Sequence, residues 1–150
     1  MHSSSGVVVP GHRVASGTGG DPRYPGGTIA MQKPYFRAAG FDIDKYYNGT
    51  LNIRTERKFR LVEPEFTVER MRWCQDPAET FSFVRCQLSS ARGSVARRVP
   101  GLVYYPHPET KPCHFQPGDI VEVLLERREP EFEYGTPVIL EVAAGQAVFE

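Results

Sequence analysis

The sequence predicts a mainly β domain with one short helix, and three observations lead there. Short runs rich in β-branched and aromatic residues recur along the chain. Turn formers are dense, with 14 Gly and 13 Pro in 150 residues, which breaks the chain too often for long helices. One stretch, Lys33 to Ala39, carries helix boundary signals, with Pro34 suited to a first turn and Gly40 to the position just past the end. Strands this short, with turns this frequent, avoid exposed edges by closing on themselves, so a compact β-barrel is expected.

Taken in order, Gly6 to Val9 is a β-branched run stopped by Pro10-Gly11. Ile29 to Met31 reads as a short strand before the helix. Phe41 to Tyr47 alternates Phe41 and Ile43 with Asp42 and Asp44, as a solvated strand edge does. Phe59 to Val62 and Phe66 to Trp73 follow, the second ended by a hinge at 75–77. Phe81 to Leu88 is the strongest strand signal in the chain. Ser94 to Val99 and Leu102 to Tyr105 read as two strands about a Pro100-Gly101 turn. Residues 106–118 are a Pro-rich loop, Asp119 to Glu126 a strand launched from Pro-Gly, and Pro137 to Val142 the last strand. Residues 1–5 are expected to be a disordered start outside the fold. Residues 6–142 form a single domain, and 143–150 a loose tail.

Charge and cysteine content narrow the function classes. Lys+Arg and Asp+Glu are both 18, so no net charge favours nucleic acid or an anionic membrane surface. No apolar run approaches the roughly 18 residues of a membrane helix. Cys74, Cys86 and Cys113 form neither a disulfide framework nor a C-x-x-C zinc pattern, and a reducing cytoplasm is the expected compartment. A monomer is expected.

Two stretches carry candidate chemistry. Residues 11–28 hold six glycines and two prolines, a backbone able to approach a ligand closely. Within it, Gly17, Thr18, Gly19 and Gly20 offer successive N–H groups as an anion nest, with Arg13 and Arg23 flanking it to pair with phosphate. The second stretch is Asn48-Gly49-Thr50-Leu51-Asn52-Ile53, an Asn-Gly turn suited to positive φ that runs into a strand. Residues two apart share a face, so Thr50 and Asn52 present a hydroxyl and an amide oxygen side by side while Leu51 and Ile53 face the core. Neutral oxygens at that spacing suit a hard cation carrying phosphates, although the same pattern is also an ordinary hairpin signal.

The order of these features resembles the archaeal-type CTP-dependent riboflavin kinases. The resemblance rests on the Gly-rich loop ending in Arg23-Tyr24, Pro34-Tyr35, the short helix, Gly40-Phe41, Gly49-Thr50-Leu51-Asn52 and the Gly118-Asp119-Ile120-Val121 strand. It spans most of residues 6–126 and is densest across 15–54. It implies a small closed six-stranded cradle-loop (RIFT-like) β-barrel with one short helix, here with extra edge strands. It also implies transfer of the CTP γ-phosphoryl group to the riboflavin 5′-hydroxyl, giving FMN and CDP. By the same resemblance, Gly17, Thr18, Gly19, Gly20 and Arg23 meet the nucleotide, and Thr50 and Asn52 hold Mg²⁺. The sequence departs from the family in 99–112, where the family's Glu-containing strand and basic segment are missing. Tyr104, Tyr105, His107, Glu109 and Lys111 are the polar and aromatic residues available there to line a different pocket.

That departure supports an alternative, an inactive or diverged barrel that binds a nucleotide or other anionic small molecule. Zinc binding by Cys113, His114 and His107 is disfavoured, because adjacent residues in extended chain point opposite ways and a site needs three or four ligands. Arg92, Arg97 and Arg98 read as a solvated face rather than a nucleic-acid surface.

Overall fold

The structure is a computed structural model that describes residues 2–10, 28–74, 78–91, 97–110 and 119–150. The described strands are β1 (His2–Val9), β2 (Leu51–Thr55), β3 (Phe59–Leu61), β4 (Phe66–Met71), β5 (Glu79–Ser90), β6 (Arg98–Pro106), β7 (Ile120–Leu124), β8 (Pro137–Val142) and β9 (Ala147–Phe149). The helix is α1 (Thr28–Ala38), and Pro108–Thr110 make a single 3₁₀ turn. The fold is mainly β.

A seven-stranded antiparallel sheet runs β4-β5-β6-β7-β2-β1-β8, and a further β5–β8 pairing carries its hydrogen bonds in a ring through six strands. The long β5 makes that ring possible. Along one edge its first half pairs with β4, Phe66 opposite Phe83, and its second half pairs with β8, Leu88 opposite Leu140. Its other edge pairs with β6 throughout, from Phe81 opposite Pro106 to Ser89 opposite Arg98.

Strand alternation sorts the apolar side chains into two clusters. Val8, Ile53, Val84, Leu88, Val103, Val121, Val123 and Leu140 pack together on the inner face. Phe81, Phe83, Leu102, Tyr104 and Leu124 lie on the opposite face, with Ile29 and Phe36 of α1 packed over them. The Phe36 ring meets Phe81 and Phe83 edge-on, both at 5.1 Å between centroids, a favoured aromatic geometry.

The helix is longer than the Lys33–Ala39 expectation. It takes in Ile29 to Met31, which read as a strand, so Pro34 sits in the helix interior. There Pro removes one i→i−4 bond. Ile29, Gln32 and Phe36 are all buried at helical spacing, and this packing outweighs the local cost. Gly40 ends the helix as its sequence implies. Its φ is 103°, its N–H bonds the Arg37 carbonyl at 3.1 Å, and the Phe41 N–H reaches the Phe36 carbonyl at 3.0 Å. That is the paired bonding of a Schellman motif.

Both chain ends correct the expected boundaries. Residues 2–5 belong to β1, where Ser3, Ser4 and Ser5 face Glu141, Leu140 and Ile139 of β8. The expected loose tail contains β9, which pairs with β3 as Phe59 opposite Phe149 and Leu61 opposite Ala147. Ala147 and Phe149 are buried in the inner cluster, and Phe59 and Leu61 pack against it. Pro100-Gly101 is not a turn but the middle of β6. A Cβ on Gly101 would lie 2.9 Å from the Leu124 carbonyl oxygen, so glycine is what lets β6 come this close to β7.

Candidate functional site

The Asn48–Ile53 stretch enters β2 without left-handed residues: among the described residues positive φ occurs at Gly40, Gly135, Gly145 and Arg70, not at Asn48 or Gly49. Nor is it a hairpin turn, since β2 pairs with β1 and β7. The alternation does hold. Ile53 is fully buried in the inner cluster and Leu51 packs against it. Asn52 lies on the opposite face, only 7% exposed.

Register then builds a polar row across three strands. Asn52 stands opposite Glu122 on β7, and Glu122 stands opposite Tyr104 on β6. Directly opposed residues in antiparallel strands point to one side of the sheet. The Thr50 hydroxyl, immediately before β2, donates to Glu122 Oε1 at 2.9 Å. At the far end of the row the Tyr104 hydroxyl donates to Gln32 Oε1 of α1 at 2.7 Å. Burial holds the Tyr104 phenol well above its usual range, and the Glu122 and Glu79 charges push the same way. The hydroxyl therefore stays protonated and donates.

Thr50, Asn52 and Glu122 thus bring a hydroxyl, an amide and a carboxylate to one corner. These are hard oxygen donors of the kind that suit Mg²⁺ or Ca²⁺. The end of β1 lies beside the same corner. β1 ends at Val9, which pairs with Asn52, and α1 resumes at Thr28. Gly17, Thr18, Gly19, Gly20, Arg23 and Lys111 themselves lie outside the described residues, as do Arg13, Arg92, Cys113 and His114.

The other pocket candidates separate. Tyr104 and Tyr105 are consecutive in β6 and so face opposite ways. Tyr104 is 5% exposed and packs beneath α1. Tyr105 packs with Phe59 and His107 on the other face. His107 Nε2 is 2.7 Å from Ser82 Oγ, which is 2.8 Å from Thr67 Oγ1, and His107 Nδ1 is 3.3 Å from Glu109 Oε2. Thr110 Oγ1 accepts from the Thr80 N–H at 3.0 Å and donates to the His107 carbonyl at 2.9 Å. Ser82 is buried. These bonds fasten residues 107–110 onto β5.

Asp42 and Asp44 are in a turn rather than a strand edge. Asp42 Oδ1 accepts the Asp44 N–H at 2.8 Å, and Asp44 pairs with Arg37. The Lys33 ammonium fastens the same turn by donating to the Asp44 and Tyr46 carbonyls. Arg97 is paired with Glu129 and Glu131, and Arg98 with Glu141. No group of three or more His, Cys, Asp or Glu arranged for a metal occurs among the described residues. No described helix is long and apolar enough to cross a membrane.

Sequence reasoning missed Glu122, Gln32 and Ser82. Glu122 occupies a polar phase of Asp119-Ile-Val-Glu-Val, which read as ordinary alternation. Only the β2–β7 register brings it to Asn52. Compared with known proteins, the sequence matches no family model and no curated protein.

Proposed function

We propose that this protein is a riboflavin kinase-like phosphotransferase on a cradle-loop barrel, taking CTP as donor and the riboflavin 5′-hydroxyl as acceptor. One observation carries the reading: the Thr50 hydroxyl bonds Glu122, the residue opposite Asn52, which brings Thr50 and Asn52 to one corner beside the Val9 end of β1. The six-stranded ring with one helix across its outer face is compatible with a cradle-loop barrel.

The donor set fits Mg²⁺, which when bound would neutralise charge on the β- and γ-phosphate oxygens. Thr50 and Asn52 would hold the ion through neutral oxygens, leaving the phosphates to supply the negative ligands. Gly17, Thr18, Gly19 and Gly20 would offer backbone N–H groups to the nucleotide, with Arg23 beside them. The acceptor oxygen bonds to the γ-phosphorus, the bond to the bridging oxygen breaks, CDP leaves, and the hydroxyl proton passes to solvent or phosphate. Phosphoryl transfer asks mainly for this positioning and neutralisation.

A second reading is a barrel that binds a nucleotide or other anionic small molecule without turnover. The burial of Tyr104 favours it, because the acceptor side then lacks one of the side chains available to replace the family's substrate residues. Incubation with riboflavin, Mg²⁺ and each nucleoside triphosphate separates the two. The kinase reading expects FMN and CDP from CTP on chromatography. Absence of FMN with every triphosphate, together with a thermal shift from nucleotide, leaves the binding module.

A further inference from the structure

Glu122 is the one carboxylate in the row formed by Asn52, Glu122 and Tyr104, and its surroundings give it a definite task. An ionised carboxylate only accepts hydrogen bonds, so in the 2.9 Å contact with Glu122 Oε1 the proton belongs to the Thr50 hydroxyl. Tyr104, the cross-strand neighbour on the other side, directs its own hydroxyl to Gln32 at 2.7 Å. Thr50 precedes β2 while Glu122 is fixed within β7 opposite Asn52, so the bond ties the start of one strand to the body of the next.

A neutral hydroxyl can serve a cation only through its oxygen lone pairs, and its hydrogen must then point elsewhere. We infer that Glu122 is the positioning residue of the cation corner: it accepts the hydrogen bond of the Thr50 hydroxyl and thereby turns the Thr50 oxygen lone pairs toward the ion. Its charge also makes that oxygen a better donor, as partners behind metal ligands generally do. The inference rests on the cation corner of the proposed function and deepens it, since it assigns a role to a residue outside the Thr50–Asn52 pair.

The test is a double-mutant cycle on the full chain, with Mn²⁺ as the paramagnetic probe and free Mn²⁺ read by electron paramagnetic resonance in the presence of CTP. Glu122→Ala should weaken Mn²⁺ binding by about 10–100-fold. Glu122→Gln keeps the shape and an acceptor oxygen but loses the charge, and should fall between Ala and wild type. In a Thr50→Val background, which removes the hydroxyl and keeps the volume, the Glu122→Ala change should have almost no further effect. An equal loss from Glu122→Ala in both backgrounds, or no loss from it in either, overturns the inference while leaving the cation corner standing. A wild-type chain that takes up no Mn²⁺ with CTP overturns both. Thermal unfolding of Glu122→Gln, expected to match wild type, guards against a folding defect, and a Glu122→Gln chain that folds normally yet binds more weakly than Glu122→Ala also overturns the inference.

Discussion

The Tyr104 hydroxyl donates to Gln32 Oε1 at 2.7 Å, joining β6 to α1 inside the cluster that holds the helix on the sheet. Gln32 is 1% exposed, so its oxygen has little access to water. Tyr104→Phe removes the donor and leaves that oxygen buried, which should cost about 1–3 kcal/mol of unfolding free energy. Pairing it with Gln32→Leu removes the stranded acceptor as well. The double variant should recover part of the loss, as read from urea unfolding. A double variant as unstable as the sum of the two single changes would show that the bond does not carry the coupling.

The Ser82–His107 contact gives a second prediction. Ser82 Oγ lies between Thr67 Oγ1 and His107 Nε2, and the same His107 accepts Thr110 on its carbonyl. Ser82→Ala and His107→Ala should each destabilise by about 1–3 kcal/mol, because each breaks the Thr67–Ser82–His107 chain of bonds around the buried Ser82 hydroxyl. Made together, they should cost less than the sum, with a coupling of about 0.5–3 kcal/mol expected for side chains in direct contact. Strict additivity would mean that the two side chains act independently.

Cys86 makes stability depend on alkaline pH. Burial among apolar side chains pushes its thiol from 9.0 up to about 12. The unfolded chain loses that proton above its ordinary value, whereas the native chain keeps it. Between those two values the native state therefore holds more protons, and stability falls as pH rises. The contribution is fully present below pH 9 and gone by about pH 12. From pH 8 to pH 10.5 the wild type should lose about 2 kcal/mol more than Cys86→Ala, at 1.36 kcal/mol per unit. Parallel pH profiles for the two proteins would remove this account.

Sequence periodicity made much of the fold legible. Phe81 to Val84 is buried on both faces of β5 and reads as a continuous run, Arg85 to Leu88 alternates because one face is exposed there, and Gly40 marks the helix end because the bonding there needs positive φ. What failed were features settled by distant partners. Ala147–Phe149 is a strand because Phe59–Leu61 lies beside it, and nothing local announces that pairing. Pro100-Gly101 carries the local punctuation of a turn. In the structure Pro100 is paired with Gln87 on β5, while the β6–β7 register begins at Leu102, so its missing N–H breaks no bond on that side. At the candidate site the shared face of Thr50 and Asn52 followed from a period of two. Glu122 became visible only through register, and the burial of Tyr104 only through the position of α1.

Calorimetric titration of CTP with and without Mg²⁺, on wild type, Thr50→Ala and Asn52→Ala, reads whether Thr50 and Asn52 hold a cation that carries the nucleotide. Binding should depend on Mg²⁺ in the wild type and be lost in each variant, with unfolding temperatures close to wild type. Unchanged CTP affinity in both variants, in the presence of Mg²⁺, would contradict that role.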